Sequence, residues 1–346
     1  MAEASRTALP RAPARPGFDM ATIAALVALL ALVPVIANAI GEPFIIRVAT
    51  RVVVFAIAAV ALNLVLGFGG LVSLLHAGLL GIGGYAVAIA SWHEFNAEPL
   101  IFGPLALNGT GQLLVSLPLA ALCGAGAAAV MGAVSLRTSG SYFIMITLAF
   151  NQMLFYYFVA LQKYGGEDGL QILGSLSLGA IDPSKRVPFF YICLTLLALT
   201  LMFMQRLINS RFGMVLRATA QNEQRVIAVG IPPFRYKLAA FAISGALTAL
   251  AGGLLATGQQ FITPADMSWV RSGDFIVMCV LGGLSTVWGP VIGAAVFLVL
   301  ELTLSGYTTH WQLPFGLFII GMAVFLRGGL SDVPALLGRA GKGQGK

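Results

Sequence analysis

The chain has 346 residues, 58% of them hydrophobic and 10% charged, with a mean hydropathy of +0.92. Soluble domains carry about 25% charged residues, so this composition cannot cover a water-facing surface and excludes a soluble enzyme. The apolar residues run unbroken for about 20 positions without alternating, which argues against a membrane β-barrel. The net charge of +7 is concentrated in loops, so it is no sign of a nucleic-acid surface.

A helix rises about 1.5 Å per residue, so about 20 apolar residues cross a hydrocarbon core of roughly 30 Å. In chain order the predicted spans are Met20 to Ile40, Ile45 to Leu66, Gly70 to Ser91, Gln112 to Leu136, Ser141 to Gln162, Pro188 to Ile208, Lys237 to Gly258, Gly273 to Leu304 and Trp311 to Leu326. Gly273 to Leu304 is long for one crossing and carries Gly282, Gly283, Gly289 and Pro290 in its middle, so it reads as two short or broken helices. The fold class is therefore all-α, a polytopic membrane protein of about nine or ten spanning, partly spanning or re-entrant helices. Arg6, Arg11 and Arg15, the apolar run after them and Ala37-Asn38-Ala39 also resemble a cleavable signal peptide, but the run is full length and further spans follow, which favours a retained first helix.

Cytoplasmic loops keep Lys and Arg. The segment from Gln205 to Lys237 holds Arg206, Arg211, Arg217, Arg225, Arg235 and Lys237 against the single acid Glu223, and is expected in the cytoplasm. Alternation then places Arg137 and both termini on that side, and Glu94, Glu98, the loop from Lys163 to Arg186, Asp266 and Asp274 on the other. The expected organisation is an N-terminal tail over 1–19, a membrane domain over 20–327 that includes a cytoplasmic loop at 209–236, and a C-terminal tail over 328–346.

Little in the sequence suggests catalysis. Cys123, Cys193 and Cys279 each lie in an apolar run with no pair at metal or redox spacing, and His76, His93 and His310 are too scattered for a metal site. No phosphate-gripping G-x-x-x-x-G-K-[ST] loop, nucleophile elbow or zinc-protease helix occurs, so no catalytic residue, metal or bound cofactor is assigned to this chain. The cytoplasmic loop stands out instead. Its pattern predicts a helix with Leu216, Ala220, Val226 and Ile227 on one face and Arg217, Gln221, Gln224 and Arg225 on the other, stopped by Gly230, Pro232 and Pro233. Such a helix lies on the anionic inner leaflet or docks into a groove on a cytoplasmic partner.

Ser210-Arg211-Phe212-Gly213, Leu216-Arg217-Ala218, Asn222-Glu223, Val229-Gly230-Ile231 and Arg235-Tyr236-Lys237 resemble the coupling loop of LivM-type permeases, the membrane subunits of branched-chain amino acid ATP-binding-cassette (ABC) importers. The resemblance extends to Leu62-Asn63-Leu64-Val65-Leu66-Gly67-Phe68-Gly69-Gly70 with Ser73 and His76, to Thr147-Leu148-Ala149-Phe150, to Gly165-Gly166-Glu167-Asp168-Gly169-Leu170, and to Trp288-Gly289-Pro290-Val291-Ile292-Gly293-Ala294 with Glu301. The sequence departs from the family at Leu71 (usually Gln), Leu75 (usually Gly) and Ala220 (usually basic), and in its closing run Leu326-Arg327-Gly328-Gly329-Leu330.

The resemblance implies a subunit of the bacterial inner membrane working with a second, LivH-type permease, two cytoplasmic ATPases that use the ATP, and a periplasmic binding protein. It places Arg211, Phe212, Gly213, Arg217, Asn222, Glu223 and Gly230 at the ATPase-coupling loop, and Glu167 and Asp168 in an outward loop that either meets the binding protein or is a plain turn. Asn63, Ser73, His76, Thr147, Asn151 and Glu301 are polar residues within spans, which serve either to line a path or to tie helices together. Gly67, Gly69, Gly70, Gly78, Gly81, Gly83 and Gly84 allow close approach or unwinding, and Gly245, Ala249, Gly253, Gly289 and Gly293 are expected at close helix contacts. Import of urea, short amides or other small carboxylates by the same machine is the near alternative. A gradient-driven transporter or channel is the alternative of a different class.

Overall fold

The computed structural model describes residues 16–96, 109, 111–172, 185–307, 310–325 and 329–330. Most of the two tails, Glu98 and the centre of the 163–186 loop lie outside the described residues. The helices are α1 (Pro16–Ile40), α2 (Pro43–Asn63, continued by a π-helical turn Leu64–Phe68), α3 (His76–Phe95), α4 (Leu113–Ser135), α5 (Ser141–Ala160) and α6 (Arg186–Asn209). They are followed by α7 (Arg211–Gln221), α8 (Glu223–Ala228), α9 (Pro233–Gln259), α10 (Trp269–Gly282), α11 (Gly289–Tyr307) and α12 (Gln312–Phe325). Two short strands, β1 (Leu170–Gln171) and β2 (Phe261–Ile262), pair antiparallel with Leu170 opposite Ile262 and tie the α5–α6 connection to the end of α9.

Among the described residues, seven helices are long and apolar enough to cross a membrane: α1 from Met20, α2 with its π turn, α4, α5, α6, α9 and α11. The chain is a polytopic all-α membrane protein. α3 matches α5 in length at 20 residues, but glycine, Ser91 and two histidines lower its apolar character. It tolerates this because protein surrounds it, burying it from His76 to His93 with few gaps. α10 and α12 have 14 residues each, about 21 Å of helix, and only partly span.

The long stretch from Gly273 to Leu304 is broken as expected. α10 ends at Gly282, Gly283 turns the chain at φ 112, and α11 restarts at Gly289 with Pro290 in its first turn, where a missing N–H costs nothing. α3 departs from expectation by starting at His76 instead of Gly70. Gly69 to Leu75 form an irregular link between the π turn and α3. The end of the bundle bearing α7 and α8 gathers Gly70 beside Ala220 and Gly329 beside Gly283; the first turn of α2 and the last of α9 lie at the opposite end.

α2 is hydrophobic on all sides and runs through the centre, buried from Val52 to Asn63. α9 packs along α3 and α4 with almost no spacing. A Cβ on Gly83 would strike the Ala249 backbone, one on Gly252 the Leu80 carbonyl, and one on Gly245 the Ala128 side chain, as expected of small residues at closely crossing membrane helices. Gly293 does the same against the Met278 carbonyl in the α10–α11 hairpin. Gly83→Val should therefore destabilise the detergent-solubilised chain by about 3 kcal/mol or more, read as a lowered Tm, because rigid backbone cannot move aside. Gly126→Val on α4, where a Cβ would meet open space, should leave Tm nearly unchanged.

Candidate functional site

The irregular link exposes backbone polar groups in the interior of the bundle, where each must find a partner. The Leu74 N–H donates to Thr147 Oγ1 at 3.2 Å, and the Leu74 carbonyl accepts from Ser272 Oγ at 2.7 Å. The first free N–H groups of α3 are met by other helices: Ala77 donates to Ser272 Oγ at 2.9 Å and Gly78 to Asn151 Oδ1 at 2.7 Å. Asn151 Nδ2 donates in turn to the Met267 carbonyl at 2.8 Å, so one amide clasps α3 to the 3₁₀ turn ahead of α10. The Leu75 N–H donates to Ser73 Oγ at 3.3 Å within the link.

His76 opens α3 and is fully buried. Ser244 Oγ gives its proton to the Ala61 carbonyl at 2.6 Å, so the 2.8 Å contact to His76 Nε2 requires the histidine to be the donor. That network assigns the Nε2–H tautomer and leaves Nδ1 with no partner among the described residues. Asn63 Nδ2 donates to the Thr286 carbonyl at 2.9 Å and joins the π turn of α2 to the α10–α11 break. Asn63, Ser73, His76, Thr147 and Asn151 are thus all buried, and each is hydrogen-bonded at or beside the link or the breaks. Asn63, His76, Thr147 and Asn151 each bond across to a distant segment, whereas Ser73 bonds only within the link.

Glu301 lies elsewhere. It approaches Arg51 at 3.9 Å, across α11 and α2. Arg271 pairs with Asp274 at 3.3 Å, and the guanidinium carbons of Arg51 and Arg271 lie 5.3 and 5.4 Å from the Phe55 ring centroid. Sequence reasoning named Glu301 but missed Arg51 and Arg271 and took Asp274 for a loop residue. The available signal was Arg51 itself, a charge within the span from Ile45 to Leu66.

The segment 209–236, expected as one helix, forms two, a correction to the single predicted one. Asn222 leaves the helical region (φ −159, ψ 100) and caps α8, its Oδ1 accepting the Arg225 N–H at 3.1 Å. The break also splits the predicted apolar face: Leu216 and Val226 are buried, whereas Ala220 and Ile227 are exposed. Gly213 leaves no space for a Cβ against Ile208, and Arg217 donates to the Gly213 and Ile208 carbonyls at 3.2 and 3.1 Å, fastening α7 to the end of α6. Phe212 packs on Tyr236 with ring centroids 5.7 Å apart, and Arg211 is exposed.

Glu223 reaches Lys237 on α9 at 2.7 Å. Gly230 ends α8 at φ 84 in a Schellman motif, with Gly230 N–H on the Ile227 carbonyl and Ile231 N–H on the Val226 carbonyl, and with open space where a side chain would project. Met214 and Val229 stand out from this surface, 65% and 77% exposed. At the opposite end Glu167 and Asp168 are exposed on a 3₁₀ turn framed by glycines at positive φ.

Glu223→Gln removes the charge that holds Lys237, whose side chain is 13% exposed. Because Glu223 is 44% exposed, solvent screening reduces the effect to about 1 kcal/mol. Local opening should then make trypsin cut after Arg225 about fivefold faster.

Residues 44–326 match the family described as the branched-chain amino acid transport system permease component. The chain belongs to this family. This permease is 26% identical over 362 residues to the high-affinity branched-chain amino acid transport system permease protein LivM of Salmonella typhimurium, covering 96% of the chain and 81% of the relative. It is 32% identical over 149 residues to the xylose transport system permease protein XylH of Escherichia coli (41% and 37%), and 32% identical over 126 residues to a probable LivH of Methanocaldococcus jannaschii (35% and 36%). No solved structure matches the permease.

Proposed function

We propose that this chain is one membrane subunit of an ATP-driven importer of branched-chain amino acids, set in a bacterial cytoplasmic membrane with both termini and α7–α8 in the cytoplasm. The observation that carries the reading is the α7–α8 surface: it is fastened to α6 by Arg217 and to α9 by Glu223, bears exposed Met214 and Val229, and sets Ala220 against Gly70 at the start of the irregular link. One of two cytoplasmic ATPases docks there, Arg211, Asn222 and Gly230 lie in or beside the contact, and a rigid shift of α7 reaches the link directly.

A second, LivH-type permease completes the path, which the partial likeness to LivH supports. Asn63, Ser73, His76, Thr147 and Asn151 hold the wall of that path in register, and Glu167 and Asp168 face a periplasmic binding protein. ATP is bound by the partner subunits. The test is uptake by the whole complex in proteoliposomes. ATP-dependent leucine, isoleucine and valine accumulation is expected, accumulation of xylose or urea instead overturns the substrate, and uptake by this chain alone without ATP overturns the ABC reading.

A further inference from the structure

At the end of the bundle opposite α7 and α8 a cleft of about 660 Å³ opens between α2, α6, α9 and α11, a size usual for small-molecule sites. Three arginines line it, Arg47 and Arg51 of α2 and Arg186 at the start of α6, and among the described residues its lining contains no acid. Glu301 approaches only Arg51, from a smaller neighbouring pocket of about 90 Å³. Arg47 and Arg186 have no ion-pair partner among the described residues, so the cleft carries an unbalanced positive charge.

The last turn of α9 also lines it, with Gly258 against Phe189 of α6. The carbonyls of Thr257, Gly258 and Gln259 have no following turn of helix to accept from, and the helix dipole places about half a negative charge there. Gln260 closes that turn in the left-handed region (φ 54), the sole non-glycine with positive φ among the described residues and a conformation that persists only where surroundings impose it. The lining also includes apolar Val48, Val54, Leu254, Leu255 and Leu302.

We propose that this cleft is a receiving site for an aliphatic α-amino acid held as a zwitterion. Its carboxylate lies on Arg47 and Arg186, its ammonium lies against the last carbonyls of α9, and its side chain lies on Leu254, Leu255 and Leu302. Arginine matches a carboxylate with two parallel hydrogen bonds. An anionic lipid headgroup would satisfy the arginines but would place no cation at the carbonyl end, which is why the amino acid is favoured. The assignment rests on the amino-acid importer reading given above.

The test uses the whole complex in phosphatidylcholine nanodiscs, carrying Val48→Cys in a Cys123→Ser background because Cys123 is exposed. Leucine should slow alkylation of the new cysteine about tenfold or more at saturation, as expected for charge-assisted contacts. 4-Methylpentanoate, lacking the ammonium, and 3-methylbutylamine, lacking the carboxylate, should each protect much less. Arg47→Gln with Arg186→Gln should abolish protection, read as the ratio of alkylation rates with and without leucine in that variant, because losing two cations slows the thiol's own reaction; an unchanged Tm shows that the protein still folds.

If the complex imports leucine but leucine gives no protection, the cleft assignment falls and the importer reading stands. If leucine protects but no branched-chain amino acid is imported, the importer reading falls and the site stands. Equal protection by 4-methylpentanoate, or protection by phosphatidylglycerol in the disc in place of leucine, overturns the zwitterion assignment.

Discussion

Asn151→Leu is expected to lower the stability of the detergent-solubilised permease by about 2–6 kcal/mol, seen as a large fall in Tm and in the folded yield from membranes. The Leu side chain is similar in volume, so the loss is one of hydrogen bonds. It strands the Gly78 N–H and the Met267 carbonyl, both inside the bundle. Side-chain pairs between membrane helices contribute only about 0.6 kcal/mol on average because each partner finds another when the pair is broken. Here both partners are backbone groups fixed at the start of α3 and in the turn before α10, so they cannot turn to other partners and the larger value applies. Thr147→Val removes a single backbone partner, Leu74 N–H, and should cost about 1–3 kcal/mol. A smaller loss for Asn151→Leu than for Thr147→Val would refute the double clasp.

Gly230→Asp should leave a folded permease in the membrane and abolish uptake. The backbone at φ 84 costs a side chain about 1–2 kcal/mol, and an acid at the negative end of α8 adds a few tenths, too little to unfold the bundle. Any side chain at 230 projects into open space, which on the docking proposal an ATPase fills. Two further variants separate strain from obstruction, since they rank oppositely. Asn accepts the left-handed conformation better than Ala, so on strain alone Gly230→Asn is the milder change. Asn is also the larger, so if the surface is a docking face Gly230→Asn should retain higher Tm yet transport less than Gly230→Ala. Uptake that follows Tm across the three variants would show that Gly230 acts only as a helix stop.

Much of the architecture was legible because it follows from local patterns. Apolar runs of membrane length located the long helices, Gly289-Pro290 located the break between α10 and α11, and small residues every fourth position located the α3–α4–α9 contacts. What escaped depends on distant pairings. Ser244 and Ser272 carry no local signal, yet they anchor His76 and Leu74 across 168 and 198 residues. The split at Asn222 was missed because the apolar spacing continues through it, so the asparagine that ends one helix and caps the next fell inside the single predicted helix. The arginines at 47, 51 and 186 line one cleft only because α2 and α6 are packed side by side.

The link between the π turn and α3 also bears on how the protein is made. Leu74 and Ala77 lie early in the chain, and the hydroxyl that both require belongs to Ser272. At about 5–20 residues per second, a ribosome reaches Ser272 roughly 10–40 seconds after Leu74 has emerged. Throughout that interval the nascent segment carries polar main chain that lipid cannot solvate, so it must wait in a wet or protein-lined compartment of the insertion machinery until the second half of the chain arrives. The first half should accordingly be a poor substrate for release into lipid on its own, and a chain truncated before Ser272 should remain crosslinkable to the insertase.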